Sequence, residues 1–370
     1  MGLSVVVPAK ARSCYLGNLL ESLARARKRT SDPVEVIVVD SSEDESRLTI
    51  ESLCRRFGAV YHYLHGTVSE ARNFGIRAAR FQIILFMDSD CEAEPNLLNE
   101  HAQFYIDQEI GGCIGLTEFK GKKTWLWDVI EKMPFLQPFQ WAEWKEHVSW
   151  GPCTNISFRK EILDEVNGFE PVMLPKECGE DVDLGYRVTS SGYKIRCNPN
   201  AKAYHTRETW TKLPQFIERA FRFGRGEYHL VEKHPENAFL DFPTDLLILF
   251  LLEVLFAYKT LIAGSLLAAM FPLIWLFFKM FVQSLDLEVN TMKRSWRNIP
   301  SRFLSLLFGV LFELGFSMEC LLKGNLGMLQ HRFIYTEEQV SGSRRWKTIR
   351  MRSSAISLLV LFTFLMLLGG

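Results

Sequence analysis

Short apolar runs alternate with amphipathic stretches through the first two hundred residues. Leu3-Ser4-Val5-Val6-Val7 is β-branched and stops at Pro8, the pattern of a buried parallel strand. Leu16, Leu19, Leu20 and Leu23 then fall on one helical face, and Val34 to Val39 predicts a second strand ending on Asp40. Ile50, Leu53, Cys54 and Phe57 predict a helix, Val60 to Leu64 a third strand, and Ser69 to Ala79 a helix capped by Ser69. A fourth strand, Ile83 to Met87, ends on Asp88-Ser89-Asp90. Strands and helices alternating at this spacing imply an α/β fold, a mostly parallel sheet with helices on both faces. Such sheets bind ligands beyond the carboxyl ends of their strands, where Asp40 and Asp88 both fall.

The pattern loosens over residues 111–150, where Trp125, Trp127, Trp141, Trp144 and Trp150 line an acceptor groove or fill a core. Regularity returns with a strand at Asn155 to Phe158 and a helix at Lys160 to Val166. Gly179-Glu180-Asp181 opens a further helix over Asp183 to Ser190, closed by Gly192 as a left-handed cap. A strand near Lys194 to Cys197 precedes Ala203-Tyr204-His205.

Beyond Phe242-Pro243 the character changes, so the chain divides into a domain over residues 1–242 and a membrane-associated helical region over 243–370. Apolar segments at 246–278, 303–322 and 355–368 approach or exceed the roughly 20 residues a helix needs to cross a bilayer. The loops between them are basic, with Lys293, Arg294, Arg297 and Arg302, then Arg344, Arg345, Lys347, Arg350 and Arg352. Both loops favour the cytosolic side, which conflicts with three simple spans and suggests that one segment folds back or lies in the interface. Glu313 within the second segment is costly there unless paired or turned toward protein.

Composition removes some classes. With 43 Lys and Arg against 43 Asp and Glu, the chain lacks the basic excess of a nucleic-acid binder. Its 8 cysteines show no Cys-x-x-Cys pair or zinc spacing and read as free thiols of a reducing compartment. Without a basic n-region and apolar leader at the start, the first domain is expected in the cytosol.

The candidate chemistry is acidic. Carboxylates two residues apart on a strand-end turn, Asp88 and Asp90, suit a hard divalent cation that also meets substrate phosphate. A solvated turn is the plainer alternative. Asp40 suits a nucleobase or ribose contact, or simply caps its turn. No Gly-x-Gly-x-x-Gly and no P-loop are present, so a diphosphate needs another counter-charge, and a metal on Asp88 and Asp90 supplies it. Glu180 and Asp181 at a helix start are either capping groups or a general base for a hydroxyl. Asp183 and Arg187, four apart, read as a surface ion pair. Arg219, Arg222 and Arg225 beside Phe216, Phe221 and Phe223 are a solvated face, or meet lipid headgroups or a substrate diphosphate.

The ordered set Val5-Val6-Val7-Pro8-Ala9, Val36-Ile37-Val38-Val39-Asp40, Ala71-Arg72-Asn73-Phe74-Gly75, Phe86-Met87-Asp88-Ser89-Asp90, Asn155-Ile156-Ser157-Phe158-Arg159 and Gly179-Glu180-Asp181-Val182-Asp183-Leu184 resembles glycosyltransferase family 2, from residue 3 to about 205. The resemblance implies a GT-A fold, Rossmann-like, an inverting mechanism and a nucleoside-diphosphate sugar donor. It also implies donor-nucleotide contacts at Pro8, Ala9, Asp40, Arg72 and Ser89, a Mg²⁺ or Mn²⁺ site at Asp88 and Asp90, and a base at Asp181 with Glu180 beside it. His205 stands where relatives place a further metal ligand, or is an ordinary strand-end histidine. The Gln-x-x-Arg-Trp signature of processive synthases is missing, since Gln215-Phe216-Ile217-Glu218-Arg219-Ala220 lacks both its spacing and its tryptophan, which favours transfer of a single sugar. Lys10 stands where many relatives carry Asn or Arg-Asn, leaving the donor open. The expected activity is metal-dependent transfer to a hydroxyl of a lipid-linked or amphipathic acceptor at the cytosolic face of a membrane, probed against two alternatives: a polyprenyl-phosphate sugar synthase, and a non-catalytic nucleotide-binding membrane scaffold.

Overall fold

A computed structural model describes residues 2–11, 13–131, 133–171, 178–241, 254, 277 and 299–336. The chain divides into two compact units, residues 1–127 with 134–212, and residues 128–133 with 213–370. β1 (Leu3–Ala9), α1 (Ser13–Arg27), β2 (Val34–Asp40), α2 (Ser46–Phe57), β3 (Val60–Tyr63), α3 (Val68–Ala78) and β4 (Ile83–Phe86) alternate as their apolar spacing predicts. β5 (Cys91–Ala93), α4 (Leu97–Ala102), β6 (Ile110–Lys120), α5 (Trp125–Ile130), β7 (His147–Val148), β8 (Ile156–Arg159), α6 (Lys160–Glu165), α7 (Glu180–Ser190) and β9 (Lys194–Thr206) follow.

The strands order as β3-β2-β1-β4-β8-β6-β9-β5, with β7 beside β9. β3, β2, β1 and β4 are parallel, while β8 runs antiparallel to both β4 and β6. Alternate residues of β1 feed two cores. Leu3, Val5 and Val7 pack with Leu16, Leu19, Leu20 and Leu23 of α1, and Val6 packs with Ile76, Ile162 and Leu184 on the other face. A strand covered on both sides must be apolar at every position, and each buried Val or Leu contributes roughly 1.5–3 kcal/mol.

Several boundaries differ from the sequence expectation. β1 continues through Pro8 to Ala9. The Val6 carbonyl accepts from Met87, so the backbone of Pro8, two residues on, faces the same side, beyond the last β1–β4 pair at Val6 and Phe86. Its missing N–H therefore removes no ladder bond. The cap of α3 is Thr67 rather than Ser69: Thr67 accepts from the Glu70 N–H while Glu70 accepts from the Thr67 N–H. β6 lies in the stretch that looked irregular. Its glycines are steric necessities, since a Cβ on Gly112 would stand 2.8 Å from the Phe158 ring and one on Gly115 would collide with the Ala201 carbonyl. Trp127, Trp141 and Trp150 are buried, whereas Trp125 and Trp144 are exposed. Asp183 and Arg187 are not a surface pair. They meet at 2.8 Å with side chains 5% and 15% exposed, and Arg187 also donates to the carbonyls of Val166 and Gly168, tying α7 to that loop.

In the second unit, α8 (Leu213–Lys233) and α9 (Ile299–Leu322) pack together, and β10 (Ala238–Leu240) pairs antiparallel with β11 (His331–Phe333). Phe216 meets Phe308 and Arg225 meets Glu319, so the two helices run in the same direction. Their backbones touch at small residues: a Cβ on Gly224 would fall on the Phe312 carbonyl, and one on Gly315 on that of Phe221. Arg225 Nε lies 2.6 Å from the Glu319 carboxylate, and His229 Nε2 lies 3.5 Å from it. Phe303–Leu322, 20 residues of mean hydropathy 1.7, is the helix among the described residues long and apolar enough to cross a membrane. The segments at 246–278 and 355–368 lie outside the described residues, apart from Val254 and Phe277. Gly224→Val should lower the denaturant midpoint by an amount equivalent to about 2 kcal/mol or more. Gly309→Ala, with open space around it, should hold or raise the midpoint. Equal behaviour of the two variants in chemical unfolding would contradict this close packing.

Candidate active site

β4 delivers Asp88, Ser89 and Asp90 in a tight turn in which the Cys91 N–H donates to the Asp88 carbonyl, and β5 leaves at once. β5 pairs antiparallel with β9, setting Cys91 directly opposite His205. The His205 ring lies among Phe119, Phe139 and Trp210, at centroid distances of 5.4, 6.2 and 6.3 Å. Its Nδ1 is 2.8 Å from the Thr206 carbonyl, which can only accept, so Nδ1 carries a proton. Nε2 then faces Asp90 Oδ1 at 3.4 Å, with both side chains nearly sealed from solvent.

Arg72 gathers the other acids. α3 rests flat on the sheet because Gly75 leaves room for Val6, and this places the Arg72 side chain, 5% exposed, beneath the strand ends. Nη1 donates to Glu180 at 2.8 Å and Nη2 to Asp88 at 3.2 Å. The guanidinium also lies 5.3 Å from the Phe169 ring, which Asn73 holds by hydrogen bonds to both the Phe169 N–H and its carbonyl. Gly179, at φ 90, turns the chain into α7 so that Glu180 and Asp181 occupy the first turn, where the helix dipole favours negative charge.

That help is incomplete for Asp181. Burial, and then the neighbouring charge of Glu180, pushes its carboxyl up to about 7 against the pull of Arg72 and the Val182 N–H. Asp88 is raised too, by burial first, with Arg72 opposing and Asp90 adding to the rise. Burial, followed by the charges of Asp88 and Asp90, holds the Cys91 thiol well above its ordinary range.

The remaining candidates fall into two places. Pro8 and Ala9 end β1 beside Asp40 at the end of β2. Asp40 is fully buried and accepts from the Ser42 N–H (2.9 Å), the Ser42 hydroxyl (2.5 Å) and the Tyr61 hydroxyl (3.1 Å), so the carboxylate shapes its own turn. Arg222 and Arg225 belong to α8 of the second unit, where Arg225 is engaged by Glu319. Asp88, Glu180 and Arg72 form one contiguous cluster, and Asp90 and His205 form a pair. Sequence reasoning overlooked Phe169, Tyr61 and Cys91, although Cys91 directly follows the acidic turn.

A divalent ion suits this donor set. Ligand atoms of Asp90, Cys91 and His205 lie within 4.8 Å of one another, with an Asp90 carboxylate oxygen 3.4 Å from the His205 Nε2. Arg72 and an ion beside Asp90 would together offset a diphosphate.

A mostly parallel sheet with helices on both faces and an acidic turn at the carboxyl edge of β4 defines the GT-A architecture. The family model of glycosyl transferase family 2 matches residues 4–166 of this chain. The chain is 24% identical over 223 residues to the O-antigen biosynthesis protein RfbC of Myxococcus xanthus, covering 55% of this chain and 17% of that protein. It is 27% identical over 244 residues to the pre-mycofactocin glycosyltransferase of Mycobacterium tuberculosis, covering 63% and 48%. The match thus spans about half or less of the length of these curated relatives. The mannosyltransferase PcManGT from Pyrobaculum calidifontis, solved with GDP-Man and Mn²⁺, shares the fold at TM-score 0.51 and 15% identity over 87% of each chain.

Arg72 can be tested without substrate. A carboxylate whose folded pKa exceeds its unfolded value contributes stability below the unfolded pKa and loses it as pH rises through the folded pKa. Removing the guanidinium moves Asp88 and Asp181 further in that direction. With metal chelated, Arg72→Met should lose about 3 kcal/mol or more in denaturant unfolding, and its deficit against wild type should widen from pH 5 to pH 8. A deficit independent of pH would contradict the pairing.

Proposed function

We propose that this protein transfers one sugar, with inversion, from a nucleoside-diphosphate sugar to a hydroxyl of a lipid-linked or amphipathic acceptor at the cytosolic face of a membrane. The observation that carries this reading is Asp181, poised at about 7 beside the Arg72-held pair Glu180 and Asp88. A base with a pKa near the working pH accepts a proton readily while remaining largely ionised.

In this reading Asp181 takes the proton of the acceptor hydroxyl as that oxygen attacks the anomeric carbon. The bond from that carbon to the donor phosphate breaks, and the nucleoside diphosphate departs with the electron pair. One displacement inverts the centre. Glu180 pairs with Arg72, and its place beside Asp181 helps to keep the Asp181 proton affinity high. Pro8, Ala9, Asp40, Ser89 and Arg72 are the proposed donor contacts, at the adjoining ends of β1, β2 and β4 and on α3. Asp88, Asp90 and His205 would hold Mg²⁺ or Mn²⁺, which when bound neutralises charge on the departing diphosphate. The pairing of a nucleotide sugar with Mn²⁺ in the Pyrobaculum mannosyltransferase supports this choice of donor and metal.

Attachment to a membrane, the plasma membrane in this reading, draws support from the Phe303–Leu322 helix and from a relative named for O-antigen biosynthesis. The proposed division remains a catalytic domain over residues 1–242 and a membrane-associated region over 243–370.

The test is donor turnover by the full chain with Mg²⁺ or Mn²⁺. Wild-type kcat should rise with pH and level off above about 7, because the base must be deprotonated. Asp181→Asn should lower kcat by about 100-fold or more. Wild-type turnover in Asp181→Asn would contradict the base and indicate an acceptor already ionised, as for a polyprenyl-phosphate sugar synthase. Absence of metal-dependent turnover in every version would instead favour a non-catalytic scaffold.

A further inference from the structure

The sheet register brings a third kind of donor atom to the acidic turn. Cys91 and His205 are cross-strand partners, and Asp90 precedes Cys91. One carboxylate oxygen, the Cys91 sulfur and one ring nitrogen lie within 4.8 Å of one another, all on buried side chains. Among the described residues this is the group of three that meets that spacing. Bonds of about 2.0–2.3 Å to a single ion join such atoms with modest side-chain adjustment. A second observation points to a ligand. The Thr206 carbonyl accepts from Nδ1 of His205, so Nε2 is the ring nitrogen turned toward an Asp90 oxygen 3.4 Å away.

We propose that Cys91 supplies a sulfur ligand to the metal held by Asp90 and His205, so that the site selects Mn²⁺, Co²⁺ or Zn²⁺ over Mg²⁺. The inference rests on the metal assignment under the proposed function and adds to it the residue that sets which ion is taken. Mg²⁺ demands octahedral oxygen ligands, whereas a thiolate and an imidazole favour later first-row ions, with affinity rising from Mn²⁺ through Co²⁺. On binding, the thiol releases its proton to solvent and the sulfur lone pair forms the metal bond. The role is selection rather than chemistry on the sugar, because nothing places the sulfur against the anomeric carbon.

The experiment uses the full chain, stripped of metal and loaded with one equivalent of Co²⁺. A sulfur-to-cobalt charge-transfer band should appear, disappear in Cys91→Ser, and be displaced by Zn²⁺ but not by equimolar Mg²⁺. Competition titrations should show the preference for Co²⁺ over Mg²⁺ falling by about tenfold or more in Cys91→Ser. Because Cys91 is buried and its replacement tests folding as well as binding, X-ray absorption of the Co²⁺-loaded wild type gives an independent reading. It should show a sulfur neighbour at about 2.3 Å, absent when Asp90→Asn is loaded in the same way. Co²⁺ bound with only oxygen and nitrogen neighbours, or a band that persists in Cys91→Ser, would overturn the inference while leaving the transferase reading intact. Loss of that reading shows separately, as absent sugar transfer with every metal.

Discussion

A single buried cation holds the acidic site in place. Arg72 sits between Asp88 at the end of β4 and Glu180 at the start of α7, segments 92 residues apart, at 3.2 and 2.8 Å. Burying such ions costs several kcal/mol each unless geometry and hydrogen bonding offset it, and the planar guanidinium fork can serve two carboxylates at once. The surrounding structure fixes that fork. Gly75 lets α3 lie on Val6, and the Thr67–Glu70 capping box sets where the helix begins. The Arg187–Asp183 clamp ties α7 to the loop that presents Phe169, and Gly185 lets α7 approach Trp150.

The acids at the strand ends and at the start of α7 are chemically unlike because their partners differ. Asp40 spends its oxygens on Ser42 and Tyr61, Asp90 faces an imidazole, and Glu180 pairs with Arg72. Asp181 has the Val182 N–H for support and is pushed up to about 7 by burial and by Glu180. Neighbouring carboxylates whose environments separate their proton affinities are the usual basis for dividing charge stabilisation from proton transfer. The fold brings about that separation with backbone position rather than with special residue types.

Much of the first half of this arrangement was legible in the chain. β1, β2 and β4 are buried on both faces, so their residues had to be continuous apolar runs, and an aspartate after such a run marks the carboxyl edge. The capping box was also readable, since Thr67-Val68-Ser69-Glu70 has the required spacing, but Ser69 at the apparent helix start masked it. β6 was hidden because close partners demand glycine at Gly112 and Gly115, which read locally as a strand breaker. β9 was read short because Asn198-Pro199-Asn200 interrupts its apolar pattern near a shift in the β6 register between Gly115 and Leu116. The links from Arg72 to Glu180 and from Cys91 to His205 depend on tertiary register, which local periodicity does not encode.

Acids from distant segments meet at the carboxyl edge of the sheet, around Arg72 and beside His205. The most direct measurement is anomalous diffraction from crystals of the full chain grown with Mn²⁺ and a nucleoside diphosphate. The arrangement predicts a manganese peak within bonding distance of Asp90 and His205, with the diphosphate adjoining Arg72 and Asp181 opening onto the same cavity. Manganese bound elsewhere, or Asp181 walled off from the diphosphate, would contradict it.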